Sequence, residues 1–87
     1  MELKEAIARA KIYVADVFAD EHISGIGLEE VQFDEQQNRW DVTIGFYRPA
    51  TTTYDLLGGQ RSRIYKAVTI ADGTGKMLSI RNRDVAA

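Results

Sequence analysis

The sequence predicts an α+β fold in which one N-terminal helix packs on a curved, four-stranded antiparallel sheet, in the order α-β-β-β-β. Three observations predict it: helical periodicity at the N-terminus, an alternating strand with a short hairpin loop in the middle, and a second hairpin in the last third. Because a chain of 87 residues has room for one core, we expect a single domain over residues 1–87.

Residues 2–20 are predicted to form the helix. Their apolar side chains recur every three or four residues, which places them on one face of a 3.6-residue period. Those positions are Leu3, Ile7, Ala10, Val14, Val17 and Phe18. Glu2 and Glu5 lie in the first turn, where a negative charge suits the helix dipole. The glycines within residues 24–27 are expected to end the helix.

In the segment after the helix, apolar residues recur at every second position, but they change from even-numbered to odd-numbered positions part-way along. Ile26 and Leu28 share one parity, whereas Val31 and Phe33 take the other. One extra residue in a strand produces such a change, so we expect a β-bulge near residues 28–30 that curves the sheet around the helix.

In the second predicted strand, large apolar residues occupy every second position. Its inward positions are Trp40, Val42, Ile44 and Phe46, and its outward positions are Arg39, Asp41, Thr43 and Tyr47. Pairing Phe33 with Trp40 and Val31 with Val42 leaves residues 35–38 as a four-residue hairpin loop, which is a common length.

Residues 64–80 read as two strands joined by a tight turn at residues 72–75, which a left-handed Gly75 would close. This register pairs Ile70 with Leu78 and Val68 with Ile80 on the inner face. On the outer face it pairs Tyr65 with Arg83 and Ala67 with Arg81. The predicted core therefore comprises Ile7, Val14, Phe18, Phe33, Trp40, Val42, Ile44, Phe46, Val68, Ile70, Leu78 and Ile80.

Charge is distributed unevenly along the chain. Residues 1–47 carry ten acids and four bases, whereas residues 48–87 carry seven bases and three acids. The fold should therefore have an acidic edge and a basic edge that complement each other. The chain has no cysteine, no apolar run that could span a membrane and no leader peptide at its first residues, so we expect a cytoplasmic protein if the chain is full length.

Catalytic chemistry is not indicated by any motif. Residues 73–76 match part of a phosphate-binding loop, but Ile70 and Met77 occupy positions where that loop needs glycine and Ser or Thr. His22 is the only histidine, which is too few for the usual metal site. We therefore expect a protein that is not an enzyme, with no catalytic, metal-binding or cofactor-binding residues.

Arginine and tyrosine are predicted to share the outer side of the sheet, which is a candidate interaction face. The residues of that face are Tyr47, Arg61, Arg63, Tyr65, Arg81 and Arg83. Its favoured partner is another protein or a second copy of the chain, since Tyr and Arg are enriched in interfaces. The same pattern also suits single-stranded nucleic acid, by stacking and phosphate contacts.

Two further interaction sites are left open by the sequence. The connection over residues 49–60 either caps the open end of the helix and sheet or docks on a partner through Tyr54, Leu56 and Leu57. A small-ligand pocket between helix and sheet, lined by Tyr13 and Trp40, is the remaining alternative.

The order of elements resembles the cystatin-like architecture, and the closing hairpin is similar to that of PepSY-type domains. Seven features carry this likeness: Tyr65, Val68, Ile70, Asp72, Thr74-Gly75, Leu78 and Ile80. The resemblance implies a binding or peptidase-inhibitory module. The chain departs from cystatins at the first hairpin, where residues 35–38 read Glu-Gln-Gln-Asn instead of the inhibitory Gln-x-Val-x-Gly loop.

Overall fold

The computed structural model describes residues 1–49 and 62–84 and has the predicted α+β architecture. The sheet is antiparallel with the strands in the order β1-β2-β3-β4, and α1 packs on one of its faces. The elements are α1 (Leu3–Val17), a short 3₁₀ helix (Ala19–Glu21), β1 (Ser24–Asp34), β2 (Arg39–Tyr47), β3 (Ile64–Ala71) and β4 (Met77–Asn82).

The helix ends earlier than predicted, and not at the glycines. After Val17 the chain tightens into the 3₁₀ helix, in which the Glu21 N–H donates to the Phe18 carbonyl at 3.0 Å. His22 then takes the left-handed conformation, with φ 53° and ψ 45°. The exit from the helix is therefore made by His22, while Gly25 and Gly27 belong to β1.

The predicted bulge in β1 is present. The register of β1 against β2 shifts between Leu28 and Glu30, and a second shift lies between Ser24 and Gly27. Beyond the bulge, Val31 pairs with Val42 and Phe33 with Trp40, as predicted. In the hairpin loop, Asp34 accepts the backbone N–H groups of residues 36 and 37 at 3.0 and 3.2 Å.

The core lies between α1 and the two central strands. Its fully buried apolar residues include two small ones on the helix, Ala6 and Ala10, which allow the helix axis to approach the sheet closely. The predicted core residues Val14, Val42, Ile44, Phe46, Val68 and Ile70 are also fully buried. Phe18, Trp40 and Ile80 are half-buried against this cluster, and the Phe18 and Phe46 rings pack with centroids 5.2 Å apart.

Leu78 is not a core residue. The register of β3 against β4 shifts between Thr69 and Ile70, so that Met77, and not Leu78, lies opposite Ile70. The Leu78 side chain is 55% exposed, while Met77 packs against the core. Since α1 packs chiefly on β1, β2 and β3, the edge strand β4 receives little cover from the helix. Ile7 and Phe33, also predicted as core, are half-buried.

The turn between β3 and β4 joins the strands to the helix and to the N-terminus. Gly75 is left-handed as predicted, with φ +71°, and its carbonyl accepts the Tyr13 hydroxyl at 2.5 Å. The Asp72 carboxylate accepts the Met1 ammonium group at 2.9 Å and the Trp40 indole N–H at 2.8 Å. These contacts hold the N-terminus and the helix residue Tyr13 against the end of the sheet formed by this turn.

The Asp72 cluster predicts how stability depends on pH. Hydrogen bonds from the Met1 ammonium group and Trp40 lower the pKa of Asp72 below its ordinary value of 3.8. The hydrogen bond to Asp72 raises the pKa of the Met1 ammonium group above 8.0. Stabilisation by Asp72 is therefore present above its unfolded pKa and lost as pH falls through the folded one. Stabilisation by the amine is present below its unfolded pKa and lost as pH rises through the folded one.

We expect the melting temperature to be highest between about pH 5 and pH 7.5 and to fall on both sides. In Asp72→Asn, the melting temperature should be lower within that range, and its dependence on pH should be weaker at both ends. Thermal unfolding followed by circular dichroism from pH 3 to pH 10 measures both. Identical pH profiles for the two proteins would contradict the prediction.

Candidate interaction face on the outer side of the sheet

The outer face is the side of the sheet opposite α1, and its side chains lie in transverse rows. Cross-strand partners share a face, so one row runs through all four strands as Glu30, Thr43, Ala67 and Arg81. The next row runs through Gln32, Asp41, Thr69 and Ser79. On the opposite flank Gly45 pairs with Tyr65, whose carbonyl accepts the Arg83 N–H at 3.1 Å.

These rows separate charge across the sheet. The β1 side carries Glu29 and Glu30, and the β4 side carries Arg81 and Arg83. Most central positions are small, namely Thr43, Gly45, Ala67 and Thr69. The outer face therefore has an acidic side, a centre of small residues and a basic side. The uneven charge of the two halves of the sequence predicted the acidic and basic sides.

The bulge in β1 brings two consecutive glutamates into contact with arginines of this face. In a regular strand, neighbouring residues point to opposite faces. The register shift between Leu28 and Glu30 leaves Glu29 as the extra residue. Glu29 then bonds to Arg63 at 2.7 Å, and Glu30 bonds to Arg83 at 2.7 Å.

The Arg63 side chain packs on the end of β2. Its Nε donates to Glu29, its Nη2 donates to the Gly45 carbonyl at 3.1 Å, and its guanidinium lies 5.0 Å from the centre of the Tyr47 ring. Burial lowers the pKa of Arg63, but hydrogen bonds to Glu29 and Tyr47 outweigh it and leave the pKa above its ordinary value. A Cβ at Gly45 would lie 2.5 Å from Arg63 Nε, so this position must be glycine for Arg63 to pack as it does.

Arg83 reaches back from the end of β4 across the sheet. Its Nη1 donates to the Thr43 hydroxyl at 3.0 Å and its Nη2 donates to Glu30 on β1. One side chain therefore links the two edges of the sheet, and the ion pairs Arg39–Asp34, Arg63–Glu29 and Arg83–Glu30 all lie on the outer face.

The centre of the outer face is more buried than the sequence suggested. Thr43, predicted to face outward, is only 1% exposed, and Thr69 is 2% exposed. The Thr69 hydroxyl donates to Asp41 at 2.9 Å, and Thr43 accepts Arg83. Long charged side chains cover small residues beneath them, a use of arginine that strand alternation cannot reveal.

Most of the predicted interaction residues are brought together. Tyr47 and Arg63 are in contact, and Tyr65, Arg81 and Arg83 lie on adjacent strands of the same face. Arg61, Tyr54, Leu56 and Leu57 lie outside the described residues. Glu29 and Glu30 were not among the predicted interaction residues, although they are the partners of Arg63 and Arg83. The signals that could have found them were the bulge and the charge difference between the two halves.

Two hollows open on or beside this face. The first, about 400 Å³, is lined by Arg63, Ile64, Tyr65, Asn82, Arg83 and Asp84. The second, about 340 Å³, lies over Ala67 and between arginines of β2 and β4. The Tyr13 hydroxyl and the Trp40 indole, considered above for a ligand pocket, are both donors to the β3–β4 turn.

Within residues 1–49 and 62–84, no group of three or more His, Cys, Asp or Glu side chains is placed to hold a metal ion. In that same part of the chain, no helix is long and apolar enough to cross a membrane.

No protein-family model, curated protein or solved structure matches this chain. The resemblance to cystatin-like and PepSY-type domains therefore stays a prediction.

Proposed function

We propose that the chain is a small, non-catalytic protein-interaction module that forms a homodimer through the outer face of its sheet. The observation that carries the proposal is the distribution of charge across the sheet, with Glu29 and Glu30 on β1, small residues in the centre, and Arg81 and Arg83 on the β4 side. A two-fold interface presents the same patch from both copies, so it has to be self-complementary. A face with one acidic and one basic side meets that requirement.

The rows also fix the symmetry axis. A two-fold axis parallel to the strands places β1 of one copy over β4 of the other, so that Glu30 lies over the partner's Arg81. An axis across the strands would place β1 over β1 and bring like charges together. Complementary potentials favour the first arrangement. Arg83 covers Thr43, but the small side chain of Ala67, beside Tyr65, leaves room for the two sheets to approach.

The size of the face indicates a weak dimer. Four strands about 4.8 Å apart and about seven residues of 3.3 Å each give a footprint of roughly 19 by 23 Å. That is below the area of about 800 Å² per partner of a standard stable interface. We therefore expect a dissociation constant on the order of 10 μM, and measurements have to cover that concentration.

Single-stranded nucleic acid is the alternative partner, and the ion pairs count against it. Arg63 and Arg83 are each bonded to a glutamate within the chain. A phosphate backbone would have to displace those carboxylates, and Glu29 and Glu30 would repel it. Oligonucleotide binding that is lost steeply with added salt would favour this alternative.

The substitution Tyr65→Glu tests the dimer. A charge buried without a partner in the interface opposes association, so we expect a folded monomer of 9.8 kDa at every concentration, whereas the average mass of the parent protein rises towards twice that value as its concentration increases. Light scattering at about 10 to 200 μM measures it. Ile12→Glu is the control. Ile12 is 59% exposed on α1, so this substitution adds the same negative charge on the side of the molecule opposite the outer face. An unchanged mass in Tyr65→Glu, or equal dissociation in both variants, would reject the outer face as the interface.

A further inference from the structure

The second hollow, here called the Ala67 hollow, lies in the row of Ala67 and has a volume of about 340 Å³. Ala67 carries only a methyl group, while its neighbour in the row is Arg81 and three arginines line the hollow, namely Arg39, Arg81 and Arg83. The hollow is therefore a depression with a small residue among long basic ones.

Two of the guanidinium groups around the Ala67 hollow have N–H donors that make no hydrogen bond. Arg39 comes no closer than 3.8 Å to Asp34, and its Nε is buried without a hydrogen-bond partner. Arg81 is exposed, and its side chain makes no hydrogen bond or ion pair with any residue in 1–49 or 62–84. Arg83 is bonded to Glu30 and Thr43 and forms a fixed part of the lining.

The carboxylates near the hollow are already hydrogen-bonded. Asp41, which lines it, accepts the Thr69 hydroxyl, and Glu30 accepts Arg83. Asp34 accepts two backbone N–H groups of the β1–β2 loop. Since each guanidinium has five N–H donors and no acceptor, Arg39 and Arg81 retain unused donors, and the three arginines of the lining outnumber its one carboxylate, Asp41.

We propose that the Ala67 hollow binds a small oxyanion, a phosphate or carboxylate group of a small molecule, between Arg39 and Arg81. Guanidinium groups match the planar, bidentate geometry of such anions, and the Gln32 amide in the lining adds a neutral donor. The volume of about 340 Å³ is at the small end of small-molecule sites. The hollow belongs to one chain, so this inference does not rest on the proposed dimer.

Titration of the ¹⁵N-labelled protein with inorganic phosphate and with citrate, followed by NMR, tests the inference and separates the two anion types. We expect saturable shifts at the Ala67 and Arg81 amides for at least one probe, with a dissociation constant on the order of 1 mM. Ala67→Leu fills the hollow without changing charge and Arg81→Gln removes one donor group. Each should weaken binding about tenfold.

Arg48→Gln is the matched control, because it removes one arginine from the end of β2 and should leave binding unchanged. Repeating the titration in Tyr65→Glu separates occlusion by a second copy from absence of the site, since Tyr65 does not line this hollow. Absence of saturable shifts in both backgrounds, or equal weakening in Arg48→Gln and Arg81→Gln, would overturn the inference. Amide spectra that stay dispersed establish that each variant is folded.

Discussion

Replacing Phe46 by alanine should bring the protein close to its unfolding threshold. Phe46 is fully buried between α1 and the sheet and packs on Phe18 with ring centroids 5.2 Å apart. Removing a buried phenyl ring costs about 3–5 kcal/mol, through lost transfer free energy and the cavity left behind. A domain of this length has a total unfolding free energy of only about 4–13 kcal/mol. Urea unfolding at 25 °C, followed by the fluorescence of Trp40, measures the loss.

The control is Leu78→Ala, which should change the unfolding free energy by less than about 0.5 kcal/mol. The sequence pattern places Phe46 and Leu78 in the same inner layer, whereas the structure leaves Leu78 55% exposed. The comparison therefore tests the register of β4 directly. Similar losses in the two variants would show that β4 pairs without the bulge.

The contrast between Phe46 and Leu78 shows what the sequence could specify. In β2, alternation alone identified Val42, Ile44 and Phe46 as core, because this strand has a neighbour on each side and the helix above. In β4, alternation failed because a bulge opposite Ile70 shifts the register and because the helix does not cover an edge strand well. The same limit explains His22, since a left-handed histidine has no strong signal in sequence.

The outer face was predictable in outline and not in its contacts. Strand parity correctly put arginines and tyrosines there, but it gave no sign that Arg83 reaches across the sheet to Glu30. Such a contact depends on the length of an arginine side chain, on the small size of Thr43 and Ala67, and on a bulge that turns Glu29 and Glu30 towards one face. Each of these three factors can be recognised in the sequence. Only the register of the strands in the structure shows that they occur at the same place.

Charge reversal at Glu30 should weaken the proposed dimer strongly and in a way that identifies its axis. With the axis along the strands, Glu30→Arg sets two arginines against each other, and two-fold symmetry repeats that contact. At about 1 kcal/mol for each, the dissociation constant should rise about 30-fold. Arg81→Glu should have a similar effect, and the double variant should restore association because the partners have exchanged signs.

Glu30→Gln separates this effect from loss of the Glu30–Arg83 pair within the chain, because it removes that pair without adding a positive charge. Sedimentation equilibrium on the five proteins gives the dissociation constants. If Glu30→Arg alone tightened the dimer, Glu30 would not lie over the partner's Arg81, and the axis along the strands would be rejected. If both single variants weakened it and the double variant did not recover, Glu30 and Arg81 would not face each other. Only restoration in the double variant is consistent with acids of one copy lying over arginines of the next.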